Sequence, residues 1–167
     1  MDLNWILGFI EGEGCFSIHF GTRYRLVYPK AILQIGNYDK APLEDTKKCL
    51  SEHQIKANIY RVREKRPHHS NLWLLNVIEG KSISRLIELL EGMEWHSCKF
   101  DTFKLWKDSI LLVRTRPCGK ETLIRIVEIA SKMNSMTNRA NRNRVWTKEF
   151  VESHCFEDQF GRVKLNV

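Results

Sequence analysis

The segment Ile6-Leu7-Gly8-Phe9-Ile10-Glu11-Gly12-Glu13-Gly14 constrains the fold of this chain more than any other stretch, because it joins two demands rarely made together. Leu3, Ile6, Leu7 and Ile10 recur at helical spacing and form one apolar face, with Asp2 available as the N-cap. That face belongs to a core. Gly8 and Gly12 lie four residues apart on another side, where each absent side chain costs helix stability but lets a second backbone come close. The pattern predicts a helix that touches another helix. Glu11 and Glu13 crowd the end of the segment, where the macrodipole disfavours a carboxylate. A cation is therefore expected beside them.

The rest of the chain sets wider bounds. Its 167 residues and 43% hydrophobic content suit one domain with a full core and are too few for two. Lys and Arg number 27 against 20 Asp and Glu, a net charge of +7 that favours a polyanionic partner. Charge alone does not choose between DNA, RNA and a membrane surface. No run reaches transmembrane length, and the opening residues lack a basic stretch before an apolar one, so a soluble intracellular protein is expected, in an organelle or a prokaryotic cytoplasm. The cysteines, at positions 15, 49, 98, 118 and 155, make no C-x-x-C pair, which predicts reduced, mostly packed thiols. His68 and His69 stand in a polar turn without ligand spacing and read as solvated or phosphate-near.

Periodicity gives the order of elements as α-β-β-α-β-β-α followed by further helices. Phe16, Ile18 and Phe20 alternate with Cys15, Ser17 and His19 in a half-buried strand over 15–20. A turn follows at 21–25, then a second strand over 26–36 in which Pro29 suggests a sheet edge or a bend. A helix over 40–53 has Pro42 near its first turn, with Leu43, Cys49 and Leu50 facing inward. The next hairpin runs out along Asn58–Arg66, turns at Pro67–Ser70 and returns along Asn71–Ile78. On its outgoing strand Arg61, Arg63 and Lys65 share one face and Tyr60, Val62 and Glu64 the other. Helices are predicted over 81–91, 99–113 and 120–134. Phe103, Trp106, Ile110 and Val113, and then Leu123, Ile126, Val127 and Ala130, form core stripes along the last two.

The nine-residue segment resembles the LAGLIDADG signature of homing endonucleases, and the order of elements resembles that family's fold from residue 2 to about 134. The resemblance implies an α+β protein in which four strands form a curved antiparallel sheet lying along a DNA major groove, with helices covering the other face. It divides the chain into an endonuclease core over 1–134 and a basic C-terminal extension of the same domain over 135–167. Glu13 falls on the metal-binding acid and, with Gly12, at the metal site; Gly8, Gly12 and Glu11 fall on the helix pair where two copies meet. Both acids are Glu where the name-giving motif has Asp, and Leu7 occupies the usual Ala. Glu retains the charge and oxygen donors a hard cation requires. The motif occurs once, which implies a homodimer and a target that is approximately palindromic.

On this reading the sheet face opposite Phe16, Ile18 and Phe20 meets DNA. Ser17 and His19 occupy it on the first strand, Arg23 and Arg25 extend it through the turn, and Tyr28, Lys30, Ile32 and Gln34 continue it on the second. Arg61, Arg63, Lys65 and Asn71 join them on the second hairpin, with Trp73 on the return strand. Arginine suits guanine, Gln and Asn suit adenine, and Tyr or Ile suits a thymine methyl. The basic run Asn138–Arg144 is either a phosphate clamp or a mobile tail.

The resemblance implies hydrolysis of both strands of a long double-stranded target with Mg2+, or Mn2+ as a substitute, leaving 3′ overhangs, by an enzyme encoded in an intron. Two Glu13 carboxylates brought together would repel one another, and divalent ions between them remove that conflict. Asn37 matches a polar position that orients water, or else is a turn residue; Lys99 matches a lysine that stabilises phosphate charge, or else is a surface lysine. Lys40 is a weaker candidate for the same electrostatic role. Two other readings compete: an RNA maturase that helps its host intron splice, and a non-catalytic DNA-binding regulator of the same fold.

Overall fold

The computed structural model describes residues 2–62, 72–114, 118–136 and 145–166. Its elements are α1 (Leu3–Glu13), β1 (Gly14–Arg23), β2 (Leu26–Asn37), α2 (Ala41–Glu52), β3 (Asn58–Val62), β4 (Leu72–Val77), α3 (Gly80–Glu91), α4 (Lys99–Arg114), α5 (Lys120–Ser135), α6 (Lys148–His154), β5 (Cys155–Glu157) and β6 (Val163–Leu165). The expected order holds through α3. The expected four strands become six, hydrogen-bonded in the order β3-β4-β2-β6-β5 with β1 also paired to β2. Strands β5 and β6 have three residues each, too few for alternation to announce them.

Local chemistry sets these boundaries. Asp2 caps α1 by accepting from the Trp5 amide at 2.7 Å. Ile6, Leu7 and Ile10 are buried as their spacing predicted, each stabilising the fold by roughly 1.5–3 kcal/mol of hydrophobic burial. Glycine is required where α1 ends, since a Cβ on Gly14 would lie 2.5 Å from the Ile10 carbonyl oxygen. Between β1 and β2 the chain reverses through Tyr24 and Arg25, whose φ values of 50° and 68° are the left-handed backbone a two-residue hairpin turn needs. Pro29 lies in neither stretch of β2 registered with β4 (Leu33–Asn37) or with β6 (Leu26), so its missing N–H breaks no pairing there.

The chain divides into two compact units, the first comprising residues up to Phe16 with Ile32–Phe100, the second Ser17–Ala31 with Asp101–Val167. In the first, β3, β4 and the C-terminal part of β2 pair antiparallel. Leu33, Ile35, Leu75 and Val77 face one way and are fully buried, as are Leu43 and Leu50 of α2 and Leu86 and Leu90 of α3. In the second unit Leu123, Val127, Val151, Cys155 and Val163 form a core flanked by Phe20, Val27, Ile124, Trp146 and Leu165. Trp106 is fully buried in α4 and its indole N–H donates to the Ser17 carbonyl at 3.1 Å. At the β5–β6 turn Asp158 accepts from Arg162, Lys164 and the Phe160 amide, which holds its carboxyl well below the usual carboxylate range.

Cys49 and Cys155 are buried, Cys118 is half-buried, and Cys15 and Cys98 are exposed, all as free thiols. Among the described residues no helix is long and apolar enough to cross a membrane. His68, His69 and the run 138–144 lie outside the described residues.

Candidate active site and nucleic-acid interface

The first unit gathers the acidic end of α1 and the opening of α4. Lys99, the first residue of α4, extends its ammonium onto carbonyls at the end of α1: Gly14 at 2.7 Å, Ile10, which also accepts from the Gly14 amide, at 3.0 Å, and Gly12 at 3.4 Å. This is the cation that the crowded acids called for, and it sits on the negative end of the helix dipole. Burial pushes the Lys99 ammonium below the usual lysine range, partly countered by Cys15, Glu13, Cys98 and Glu11. Glu13, the last residue of α1, is exposed beside it.

Glu11 has a different task. Its Oε1 accepts from the backbone amides of His96 at 2.9 Å and Ser97 at 2.7 Å, just ahead of α4. Burial would raise its pKa, but the hydrogen bonds from Ser97 and His96 outweigh burial and hold the carboxyl below its ordinary value. The carboxylate is committed within its own chain, because two amides there need an acceptor. Glu11 and Lys99 fasten the 96–99 segment to α1 from both sides, and Trp95 adds ring contacts with Phe16 and Phe100.

The exposed side of α1 carries Trp5, Gly8, Phe9 and Gly12 at helical spacing. Trp5 is 43% exposed and its ring lies 4.9 Å from that of Phe9. A Cβ on Gly8 or Gly12 would meet no atom within 4 Å. Asn37, at the end of β2, accepts from the Asp39 amide at 2.9 Å, and Asp39 in turn accepts from the Ala41 amide at the start of α2. The turn role foreseen for Asn37 is thus present in the structure.

The register of the first unit's sheet decides which side chains share a face. Opposite residues of an antiparallel pair project to the same side, and Gln34 is registered with Asn76, which is registered with Asn58. Gln34, Asn76 and Tyr60 accordingly meet on the face away from Leu33 and Leu75. Gln34 Nε2 donates to Tyr60 Oη at 3.2 Å and to Asn76 Oδ1 at 3.0 Å, and Asn76 Nδ2 donates to Tyr60 Oη at 2.9 Å. Arg61 is registered with Trp73, and Trp73 with Asn37, all on the Leu33 side. The grouping of Arg61 and Trp73 with Gln34 does not hold. Instead the Arg61 guanidinium lies 5.9 Å from the Trp73 ring centre and the Lys40 ammonium 5.1 Å from it, while Lys40 also pairs with Glu44. The sequence did not place Tyr60 and Asn76 beside Gln34, because alternation within a strand does not say which of its faces matches a given face of its neighbour.

In the second unit His19, Arg23, Arg25, Tyr28 and Lys30 are exposed, and Ser17 is half-buried. A Cβ on Gly21 would lie 2.6 Å from the Tyr28 ring, so Gly21 and Tyr28 share the outward face with their alternation partners. Ile32 departs from expectation, with 9% of its surface exposed, since alternation sets the direction of an alkyl side chain and not how far its neighbours cover it. Arg63, Lys65 and Asn71 lie outside the described residues.

A family model described as LAGLIDADG endonuclease matches residues 6–110. No curated protein sequence gives a significant match. Among solved structures, the archaeal intron-encoded homing endonuclease I-Vdi141I, complexed with DNA, superposes with a TM-score of 0.73 at 21% identity over 89% of this chain and 90% of its own. The homing endonuclease I-TnaI gives 0.73 at 22% identity over 91% of this chain and 98% of its own. The LAGLIDADG meganuclease I-AabMI, bound to uncleaved DNA, gives 0.68 at 25% identity over 81% of this chain and 45% of its own.

Proposed function

Because this chain belongs to the LAGLIDADG endonuclease family, we propose that it is a homodimeric, divalent-metal-dependent, site-specific endonuclease of double-stranded DNA. One observation carries the reading: exposed Glu13 ends α1 beside a lysine ammonium seated on the carbonyls of Ile10, Gly12 and Gly14. A carboxylate and an ammonium held together at a helix end give one site that attracts a hard cation and a phosphate. A pure DNA binder gains nothing from a carboxylate aimed at phosphate.

The donor set fits Mg2+, with Mn2+ as a substitute. The exposed Glu13 carboxylate and the Gly12 carbonyl, on which Lys99 makes only a long contact of 3.4 Å, offer hard oxygens. Among the described residues no three His, Cys, Asp or Glu side chains form a metal cage, and Glu13 with Gly12 would hold the ion from this chain. The ion supplies charge neutralisation on the scissile phosphate and a more acidic water. Lys99 places positive charge at the same phosphate, and the α1 carbonyls hold it there with little freedom to reorient. Asn37 orients solvent through its amide while its carbonyl oxygen holds the turn. Glu11 acts as a brace, fixing the segment that delivers Lys99.

The open stripe of Trp5, Gly8, Phe9 and Gly12 supports the homodimer, because two such helices approach closely where side chains are absent and cover their aromatic rings in doing so. A two-fold dimer then reads an approximately palindromic target. The basic outward residues His19, Arg23, Arg25 and Lys30 supply part of the contact with DNA. Intron encoding and 3′ overhangs complete the proposal, following the intron-encoded neighbour I-Vdi141I and the family reading. In a plasmid cleavage assay with Mg2+, Glu13→Gln is expected to abolish cutting while DNA binding persists. Equal cleavage by the variant and the unaltered protein would overturn the nuclease mechanism.

A further inference from the structure

The hydrogen bonds among Gln34, Tyr60 and Asn76 determine what this part of the sheet offers a ligand. A primary amide nitrogen has two hydrogens, and those of Gln34 go to Tyr60 Oη and Asn76 Oδ1, leaving Gln34 Oε1 as a free-facing acceptor. The Tyr60 oxygen accepts from both Gln34 and Asn76, so its own O–H is directed outward as a donor. Tyr60 is 42% exposed. The cluster therefore presents a donor and an acceptor side by side in a fixed arrangement.

We infer that Gln34, Tyr60 and Asn76 form a preset reader of an adenine–thymine pair in the major groove. Gln34 Oε1 accepts from the adenine N6 amino group, and the Tyr60 hydroxyl donates to adenine N7. The inference rests on the DNA-binding reading above. Guanine presents O6 and N7, both acceptors, so Gln34 Oε1 would face a lone pair with no hydrogen between them. An isolated glutamine turns its amide to suit either purine. Here Tyr60 and Asn76 remove that freedom, and less rotamer entropy is lost on binding. The apolar neighbour adds selection for the partner base. Leu74 is directly opposite both Tyr60 and Gly36 on this face, where a thymine methyl meets hydrocarbon and cytosine offers none.

The test is selection by the full chain from randomised DNA duplexes, followed by binding to the selected sequence. The unaltered protein is expected to require A·T at one position of each half-site. Tyr60→Phe, which keeps the ring and loses the donor, should weaken that preference about tenfold at that position alone, and Gln34→Lys should shift it to guanine. Replacing that adenine with 7-deazaadenine should weaken binding by the unaltered protein about tenfold and cost Tyr60→Phe no more. A merely structural tyrosine would leave the 7-deaza effect the same in both proteins. Selected duplexes whose A·T positions respond to neither substitution overturn the inference and leave the nuclease reading standing. Failure of the unaltered protein to enrich any duplex overturns both.

Discussion

Replacing Lys99 with methionine separates the two tasks assigned to this lysine, holding the end of α1 and placing charge at phosphate. Its bonds to the Gly14 and Ile10 carbonyls, at 2.7 and 3.0 Å, have ordinary geometry, whereas that to Gly12, at 3.4 Å, is long. A hydrogen bond from a charged donor contributes roughly 1.5–3 kcal/mol, so the two good ones amount to about 3–6 kcal/mol gross. Two effects reduce that sum. The ammonium is partly buried at a cost its lowered pKa records, and carbonyls at a helix end regain water once the lysine is gone. A net loss of about 2 kcal/mol follows, or roughly 4–8 °C in Tm for a chain of this size. Lys99→Arg keeps the cation and should lose less. Calorimetry measures the shift, and amide exchange at Gly14, whose N–H bonds to the Ile10 carbonyl, should accelerate in Lys99→Met. DNA cleavage should fall further than stability does, by about a hundredfold or more, if Lys99 faces the transition-state charge. A Lys99→Met protein that melts within about 1 °C of the original and protects the Gly14 amide equally would refute the clamp.

Further expectations concern the same helix. Gly8→Leu meets no atom within 4 Å of its Cβ and should leave the isolated chain folded by circular dichroism, while light scattering at micromolar concentration changes from a dimeric to a monomeric mass; a dimer unaffected by the change would remove α1 from the interface. Gly14→Ala drives a Cβ against the Ile10 carbonyl and should cost about 1–3 kcal/mol in urea unfolding, with a null result contradicting the close approach. Glu11 has a folded pKa below its ordinary 4.5, so its contribution to stability is present above that value and is lost as pH falls through the folded pKa. Stability curves of the unaltered protein and Glu11→Gln should therefore converge below pH 4.5, and curves that stay parallel through that range would dissociate Glu11 from the His96 and Ser97 amides.

The first helix was legible in the sequence because everything that defines it is local. Asp2 caps its own neighbour, Ile6, Leu7 and Ile10 fall on one side by helical spacing, and the glycine at position 14 lies one turn from the carbonyl it must clear. The need for a cation at the helix end was also readable from Glu11 and Glu13, since a dipole and two acids are properties of that segment alone. That Lys99 answers the need, and that Glu11 is held by amides 85 and 86 residues away, depends on how α4 is delivered to α1. The sheet draws the same division. Each strand's alternation follows from its own residues, but the match between faces of neighbouring strands is set by cross-strand register. Register placed Tyr60 and Asn76 beside Gln34 and sent Arg61 to Trp73, although arginine looked the better DNA-reading residue. Residue type suggested which chemistry the chain could offer, and hydrogen-bonded pairing between distant segments decided which side chains share a face, because no periodicity within one strand carries information about the next.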